Sequence, residues 1–113
     1  MLELSIALSI IELAEAEAGK AGSSEIIELE LEVGFLAGID FEALEFALEM
    51  SKHRTILEKA KIRINKIKAM RHCRNCNIDF ETEDLVSPCP ECKNYHLELI
   101  RGDELRIKSL VVK

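Results

Sequence analysis

The sequence contains no tryptophan, and aromatic residues make up only 4% of its 113 positions. Any core must therefore be mostly aliphatic, and a hydrophobic content of 48% is enough to build one. No apolar run approaches the roughly 18 residues that a membrane-spanning helix needs. The N-terminus has no basic segment, and Glu3, Glu12 and Glu15 interrupt its apolar stretch. That pattern argues against a secretory signal and makes the cytoplasm the expected compartment. There is no nucleophile motif and no phosphate-binding loop, so the usual grounds for reading an enzyme are missing. Internal repeats and low-complexity tracts are missing too. The length falls within the usual range of one domain.

Charge is present but uneven. The net is −6, yet residues 1–50 carry twelve acids against one base, Lys20. Residues 51–74 carry nine bases against one acid, Glu58, and residues 75–113 carry eight acids against five bases. The acidic total argues against nucleic acid as the main partner. The basic stretch keeps that option open. A plainer reading makes Lys61, Arg63, Lys66 and Lys68 the solvated face of a strand beside an acidic one.

Periodicity predicts an α+β design. Leu4, Ala7, Leu8, Ile11, Ala14 and Ala18 recur at helical steps over residues 4–18. Ile6, Ile10 and Leu13 widen that face, so the helix is expected to be well buried. Gly19, Gly22, Ser23 and Ser24 end it. Glu25–Gly34 alternates, with Ile27, Leu29, Leu31 and Val33 on one face and Glu28, Glu30 and Glu32 on the other. Gly34 and Gly38 bracket a turn. Asp40 is placed to cap a second helix with the stripe Phe41, Leu44, Ala47 and Leu48. Lys61–Met70 reads as a second strand, with Ile67 out of step and a bulge or strand end expected near Asn65–Lys66. Glu104–Val112 reads as a third, with Leu105 and Ile107 opposed to Arg106 and Lys108. The expectation is two helices packed on a small three-stranded sheet, with a cysteine-rich, zinc-ribbon-like module inserted.

All four cysteines lie in one window: Cys73-Arg-Asn-Cys76, twelve intervening residues, then Cys89-Pro-Glu-Cys92. Two residues between sulfurs let the backbone turn so that both thiolates face one ion, and two such knuckles complete a tetrahedral shell. Zinc suits four thiolates because it is redox-inert, borderline soft and content with tetrahedral geometry. Iron is the main rival metal. A thioredoxin-like redox pair fits less well, since two CxxC motifs share the window. Four thiolates close the shell and leave no position for a catalytic water, so such a zinc is structural. Arg71, Arg74 and Lys93 stand near enough in sequence to offset part of its negative charge. Between the knuckles only Ile78, Phe80, Leu85 and Val86 are apolar. The insert is thus expected to fold on metal binding.

Taken in order, these segments resemble the HypA/HybF family of nickel-incorporation accessory proteins. The opening Met1-Leu2-Glu3-Leu4-Ser5-Ile6-Ala7 is similar to the family start, Met-His-Glu-Leu-Ser. Leu29-Glu30-Leu31-Glu32-Val33-Gly34 is similar to its first strand. The loop through Gly38 and Glu42-Ala43-Leu44-Glu45-Phe46-Ala47 follow its pattern. The double CxxC sits where its zinc domain does, and Gly102-Asp103-Glu104-Leu105-Arg106-Ile107-Lys108-Ser109 is close to its closing strand. The resemblance covers the whole chain. It implies a nickel-binding domain of residues 1–70 and 98–113 and an inserted zinc domain of residues 71–97. It also implies a non-enzymatic metallochaperone that hands Ni(II) to the hydrogenase large subunit with a GTPase partner. Some members also serve urease maturation proteins.

One position departs from the family. Its nickel ligand is the histidine after Met1, and here that residue is Leu2. A terminal amine, deprotonated amides and an imidazole make a tetragonal, nitrogen-rich site suited to Ni(II). Leucine offers no donor beyond its backbone. The Met1 amine, the Leu2 and Glu3 amides and the Glu3 carboxylate remain as nickel donors. Three readings follow: a form that has lost nickel binding, a divergent member using another imidazole such as His96 or His53, or a branch that carries something else or acts as an adaptor. Weakened or absent binding at the N-terminus is the favoured one. A zinc-ribbon module that binds a protein or nucleic acid without nickel transfer is the alternative function. Of the other histidines, His72, next to Cys73, could tune the zinc site or be solvated, with the solvated reading favoured; His53 is read as a cation near the end of the second helix, and His96 as a surface residue. Asp40 is a helix cap before it is a ligand.

Overall fold

Residues 2–113 are described by a computed structural model; Met1, the first of the expected nickel donors, lies outside the described residues. The elements are α1 (Leu2–Lys20), β1 (Ile26–Gly34), α2 (Phe41–Ser51), β2 (Lys61–Ile67), β3 (Ala69–Cys73), β4 (Ile78–Thr82), β5 (Leu97–Arg101) and β6 (Leu105–Val112). The strands form two three-stranded sheets, ordered β2-β1-β6 and β4-β3-β5. The chain divides into two compact units. One takes the residues up to Glu32 with Ile39–Asn65 and Arg106–Lys113; the other takes Val33–Gly38 and Lys66–Leu105.

The first unit holds most of the apolar core. Helix α1 buries Ala7, Ile10, Ile11, Ala14 and Ala18, and its alanines permit close approach to α2. It ends in a glycine cap. The N–H of Gly22 (φ 71°) donates to Gly19 O, and the N–H of Ser23 donates to Ala18 O, each at 3.0 Å. Helix α2 starts at the expected cap, where the Ala43 N–H donates to Asp40 Oδ1 at 3.2 Å, and it buries Leu44, Ala47 and Leu48. Strand β1, central in its sheet, adds Ile26, Leu29 and Leu31. Each fully buried aliphatic side chain of this kind contributes about 1.5–3 kcal/mol, more than an exposed ion pair of about 0–1 kcal/mol. This core therefore carries the unit. Leu57, in the turn before β2, is fully buried there too and was not foreseen.

Three expectations need correction. Leu4, Leu8 and Leu13 are exposed, so α1 buries one stripe and not a broad face. Helix α1 contacts α2, and the residues it buries are spaced as one helical stripe. In β1 it is Ile26, not Ile27, that points inward, so the alternation slips between Ile27 and Leu29; the Ile26 N–H is held by Ile56 O at 3.1 Å. The strand expected over Lys61–Met70 is two strands. It breaks at Lys68, where the chain passes from one sheet to the other. The insert also forms a sheet of its own, since Ile78-Asp79-Phe80-Glu81-Thr82 alternates and pairs with β3.

On the solvent side of β1 the acids meet bases from both neighbours. Glu28 faces Arg63 at 3.8 Å, and Glu32 accepts from Arg106 Nε at 2.6 Å. Glu30 accepts from Asn65 Nδ2 at 2.7 Å and from Ser109 Oγ at 3.2 Å. Of the basic stretch, Arg63 is thereby paired within its own sheet.

In the second unit β3 runs between β4 and β5, with a register irregularity between Met70 and Arg71. A strap from Gly34 to Leu36 crosses the returning chain: the Gly34 N–H donates to Glu104 O at 2.8 Å, and the Leu36 N–H donates to Gly102 O at 2.7 Å. A side chain at Gly34 would overlap the Gly102 carbonyl, while Gly102 itself has φ 123° with the Ala69 Cα beside it. Both glycines are required by that close approach.

Candidate metal centre

The centre is assembled from three pieces of the second unit. Cys73 ends β3, Cys76 lies in the turn toward β4, and Cys89 and Cys92 lie in the loop before β5. Each knuckle closes on a left-handed residue, Asn77 with φ 56° and Lys93 with φ 63°. In the second knuckle the Lys93 N–H donates to Cys89 O and the Cys89 N–H donates to Asn94 O, both at 2.9 Å. This turns the loop back on itself and points both sulfurs one way.

The four Sγ atoms lie within 4.8 Å of one another. Cys73 and Cys92 are 3.6 Å apart, and Cys76 and Cys89 are 4.0 Å apart. A disulfide needs about 2.05 Å, so these are free thiols. A zinc tetrahedron with Zn–S of about 2.3 Å has edges of roughly 3.8 Å. The donor set and its spacing both fit zinc. Among the described residues this is the one cluster of three or more histidine, cysteine or acidic side chains with metal-binding spacing.

The thiols already differ electrically. Cys92 is pulled down to about 6 by the Asn75 side chain and the Asn94 backbone N–H. Cys76 is pushed up to about 12 by its hydrogen bond with Cys92 and by burial. One thiolate is easy to form, and the neighbour that hydrogen-bonds to it keeps its own proton. A dication displaces such protons, which couples metal binding to proton release.

Arg71 departs from the sequence reading, which gave it a charge-offsetting role alone. It is only 4% exposed and shares the buried face of β3 with Cys73. Its Nη1 donates to Ser87 O at 2.8 Å and approaches Asp84 O at 3.5 Å. Asp84 folds the same loop, accepting from the Val86 and Ser87 N–H groups at 2.9 and 2.7 Å and from Ser87 Oγ at 3.0 Å. The Ser87 N–H and hydroxyl, with the Val86 N–H, hold the Asp84 carboxyl below the usual range. Arg74 instead pairs with Glu98, and Lys93 Nζ donates to Pro90 O at 3.2 Å.

His72, read from the sequence as solvated, places Nδ1 2.6 Å from Asp79 Oδ1, its partner across β3 and β4. His53 and His96 are exposed, and neither stands in a metal-binding cluster among the described residues. At the start of α1, Leu2 is 59% exposed. Glu3 Oε2 accepts the Asp40 N–H at 3.3 Å, joining the first turn of α1 to the cap of α2.

A two-helix, one-sheet unit joined to a four-cysteine unit defines a class of small metal-binding protein whose metal is held by scaffold thiolates. The family model described as hydrogenase/urease nickel incorporation, metallochaperone, hypA matches residues 1–112. The chain belongs to the HypA family. It is 45% identical over 113 residues to the hydrogenase maturation factor HypA of Parabacteroides distasonis, covering 100% of this chain and 98% of that one. It is 35% identical over 112 residues to that of Geotalea daltonii, covering 99% of each. The solution structure of the Ni metallochaperone HypA from Helicobacter pylori shares the fold, with a TM-score of 0.69 at 23% identity, over 97% of this chain and 96% of that one. A second HypA solution structure gives 0.72 at 24%, over 98% and 95%.

Proposed function

We propose that this chain is a non-enzymatic nickel metallochaperone for hydrogenase maturation, with one structural zinc ion held by Cys73, Cys76, Cys89 and Cys92. The observation that carries the reading is the family match over residues 1–112. The tetrahedral spacing of the thiols supports the zinc. In this reading zinc is held within residues 71–97, and nickel is handled by residues 1–70 and 98–113. The partners are a nickel-loading GTPase, the hydrogenase large subunit and the urease maturation proteins, all met in the cytoplasm. No described helix is long and apolar enough to cross a membrane.

Nickel binds at the N-terminus, through the Met1 amine, the Leu2 and Glu3 amides and the Glu3 carboxylate. Helix α1 begins at Leu2, and the first N–H groups of a helix have no carbonyl partner within it. Those amides are therefore open to a metal. Carboxylate and water suit Ni(II) less well than imidazole, so binding is weak. Leu2 is exposed, so an imidazole fits at that position without repacking.

Metal analysis of purified protein should give one zinc per chain, with weak nickel retention. In calorimetry on zinc-loaded protein, Leu2→His should raise Ni(II) affinity at least about tenfold, the loss expected when a ligand better matched to nickel is withheld. Equal nickel binding by the wild type, Leu2→His and an N-terminally acetylated control would refute the N-terminal site. A chain isolated with iron, or with no metal, would refute the zinc assignment.

A further inference from the structure

We infer that Arg71 is a positioning residue of the metal centre, fastening the loop of residues 84–88 so that the second knuckle is held against the first in the folded, metal-bound unit. The inference rests on the reading that the four cysteines hold zinc.

Cys73 and Cys89 are the two fully buried sulfurs of the cluster, and they come from parts of the chain far apart in sequence. Cys73 is placed by the β3 ladder. Nothing so regular places Cys89, which follows a loop without helix or strand. The loop does have two fasteners. Asp84 shapes it from within, through three hydrogen bonds to residues 86 and 87. Arg71 ties it to β3 from outside, through the Ser87 carbonyl, two residues ahead of Cys89. Strand alternation puts Arg71 and Cys73 on one face. The same side chain therefore reads the position of one knuckle and sets that of the other.

Burial makes the assignment specific. A guanidinium so buried is costly unless its donors are used. Here Nη1 is used on the Ser87 carbonyl at 2.8 Å, with the Asp84 carbonyl at 3.5 Å, and the Arg71 charge is among the causes that keep the Asp84 carboxyl ionised. Hydrogen bonds from charged groups are worth about 1.5–3 kcal/mol, or roughly tenfold to a hundredfold in an equilibrium constant. That energy favours the folded, metal-bound form over the released one, so it should appear in metal affinity and off-rate. Once zinc is bound, the shell carries a net −2 charge, and the buried guanidinium on the same strand face offsets part of it.

The test compares wild type, Arg71→Met, Arg71→Lys, Asp84→Ala and the Arg71→Met/Asp84→Ala double variant. Co(II) spectra report the four-thiolate shell, and zinc transfer to a chromophoric chelator reports affinity and off-rate. Arg71→Met should keep the tetrahedral thiolate spectrum and lose zinc at least about tenfold faster. Arg71→Lys should recover part of that loss. The double variant should lose less than the product of the two single losses, because both residues hold one loop. Zinc loss within threefold of wild type for Arg71→Met, or fully independent effects, would overturn the role of Arg71 alone. Should Arg71→Met fail to fold, the Arg71→Lys and Asp84→Ala rates decide, and wild-type rates in both would overturn it. A wild-type chain with no cobalt–thiolate spectrum would overturn the metal centre and this inference together.

Discussion

Lys93 holds a left-handed backbone with φ 63°. A left-handed conformation costs an ordinary L-residue about 1–2 kcal/mol, and glycine reaches it freely. Asn77 occupies the matching place after Cys76 with φ 56°, and asparagine tolerates that region better than lysine does. Lys93→Gly should therefore stabilise the zinc-loaded unit by about 0.5–1 kcal/mol, part of the gain being offset by glycine's freedom in the unfolded chain. Asn77→Gly should do less. Thermal melts of the zinc-loaded variants, followed by thiolate–metal absorbance after cobalt substitution, measure both. At this scale the cysteines were legible because CxxC spacing is local chemistry. The role of Arg71 was not. Its carbonyl partners lie 13 and 16 residues away, and no periodic signal marks them.

Among elements, β1 shows how charge and sheet position act together. Asn65, and then Lys108, Ser109 and Arg63, hold the Glu30 carboxyl below its usual 4.5. The sign follows from linkage. A depressed carboxylate stabilises the fold fully above its unfolded value, and that contribution fades as pH falls through the folded value. Unfolding by urea, read as helix signal because both helices lie in the first unit, should give a midpoint that falls below about pH 4.5. Glu30→Gln should flatten part of that slope and leave the midpoint near pH 7 slightly lower. An unchanged slope would assign the acid sensitivity to other carboxylates. The acidic and basic faces of β1 and β2 were readable as alternation. The break at Lys68 was not, because a strand that changes sheets keeps its local pattern and alters only its neighbours.

For the molecule as a whole, the two units are stabilised by different means. Nearly all buried aliphatic residues belong to the first unit. The second buries Val33 and Ala69, together with Cys73, Cys89 and Arg71. An apolar core that small cannot balance chain entropy of about 1–2 kcal/mol per ordered residue, so metal binding must supply the difference. Stripping the metal with a chelator should abolish hydrogen-exchange protection at β3 and β5, while amides of α1, α2 and the centre of β1 stay protected. Protection that survives equally in both units would show that the second unit folds without metal.

Cys73, Cys76, Cys89 and Cys92, the Asp40 cap and the alternation of β1 were settled by sequence alone, because each depends on groups within a few residues of one another. So was the absence of an imidazole at position 2. Tertiary structure decided which leucines of α1 stay exposed, that Ile26 replaces Ile27 in the core, and that Glu3 reaches the Asp40 amide. It also decided that a buried arginine ties one knuckle to the other. Those outcomes turn on what lies across from a residue, and burial and hydrogen bonding between distant segments are properties of the packed chain.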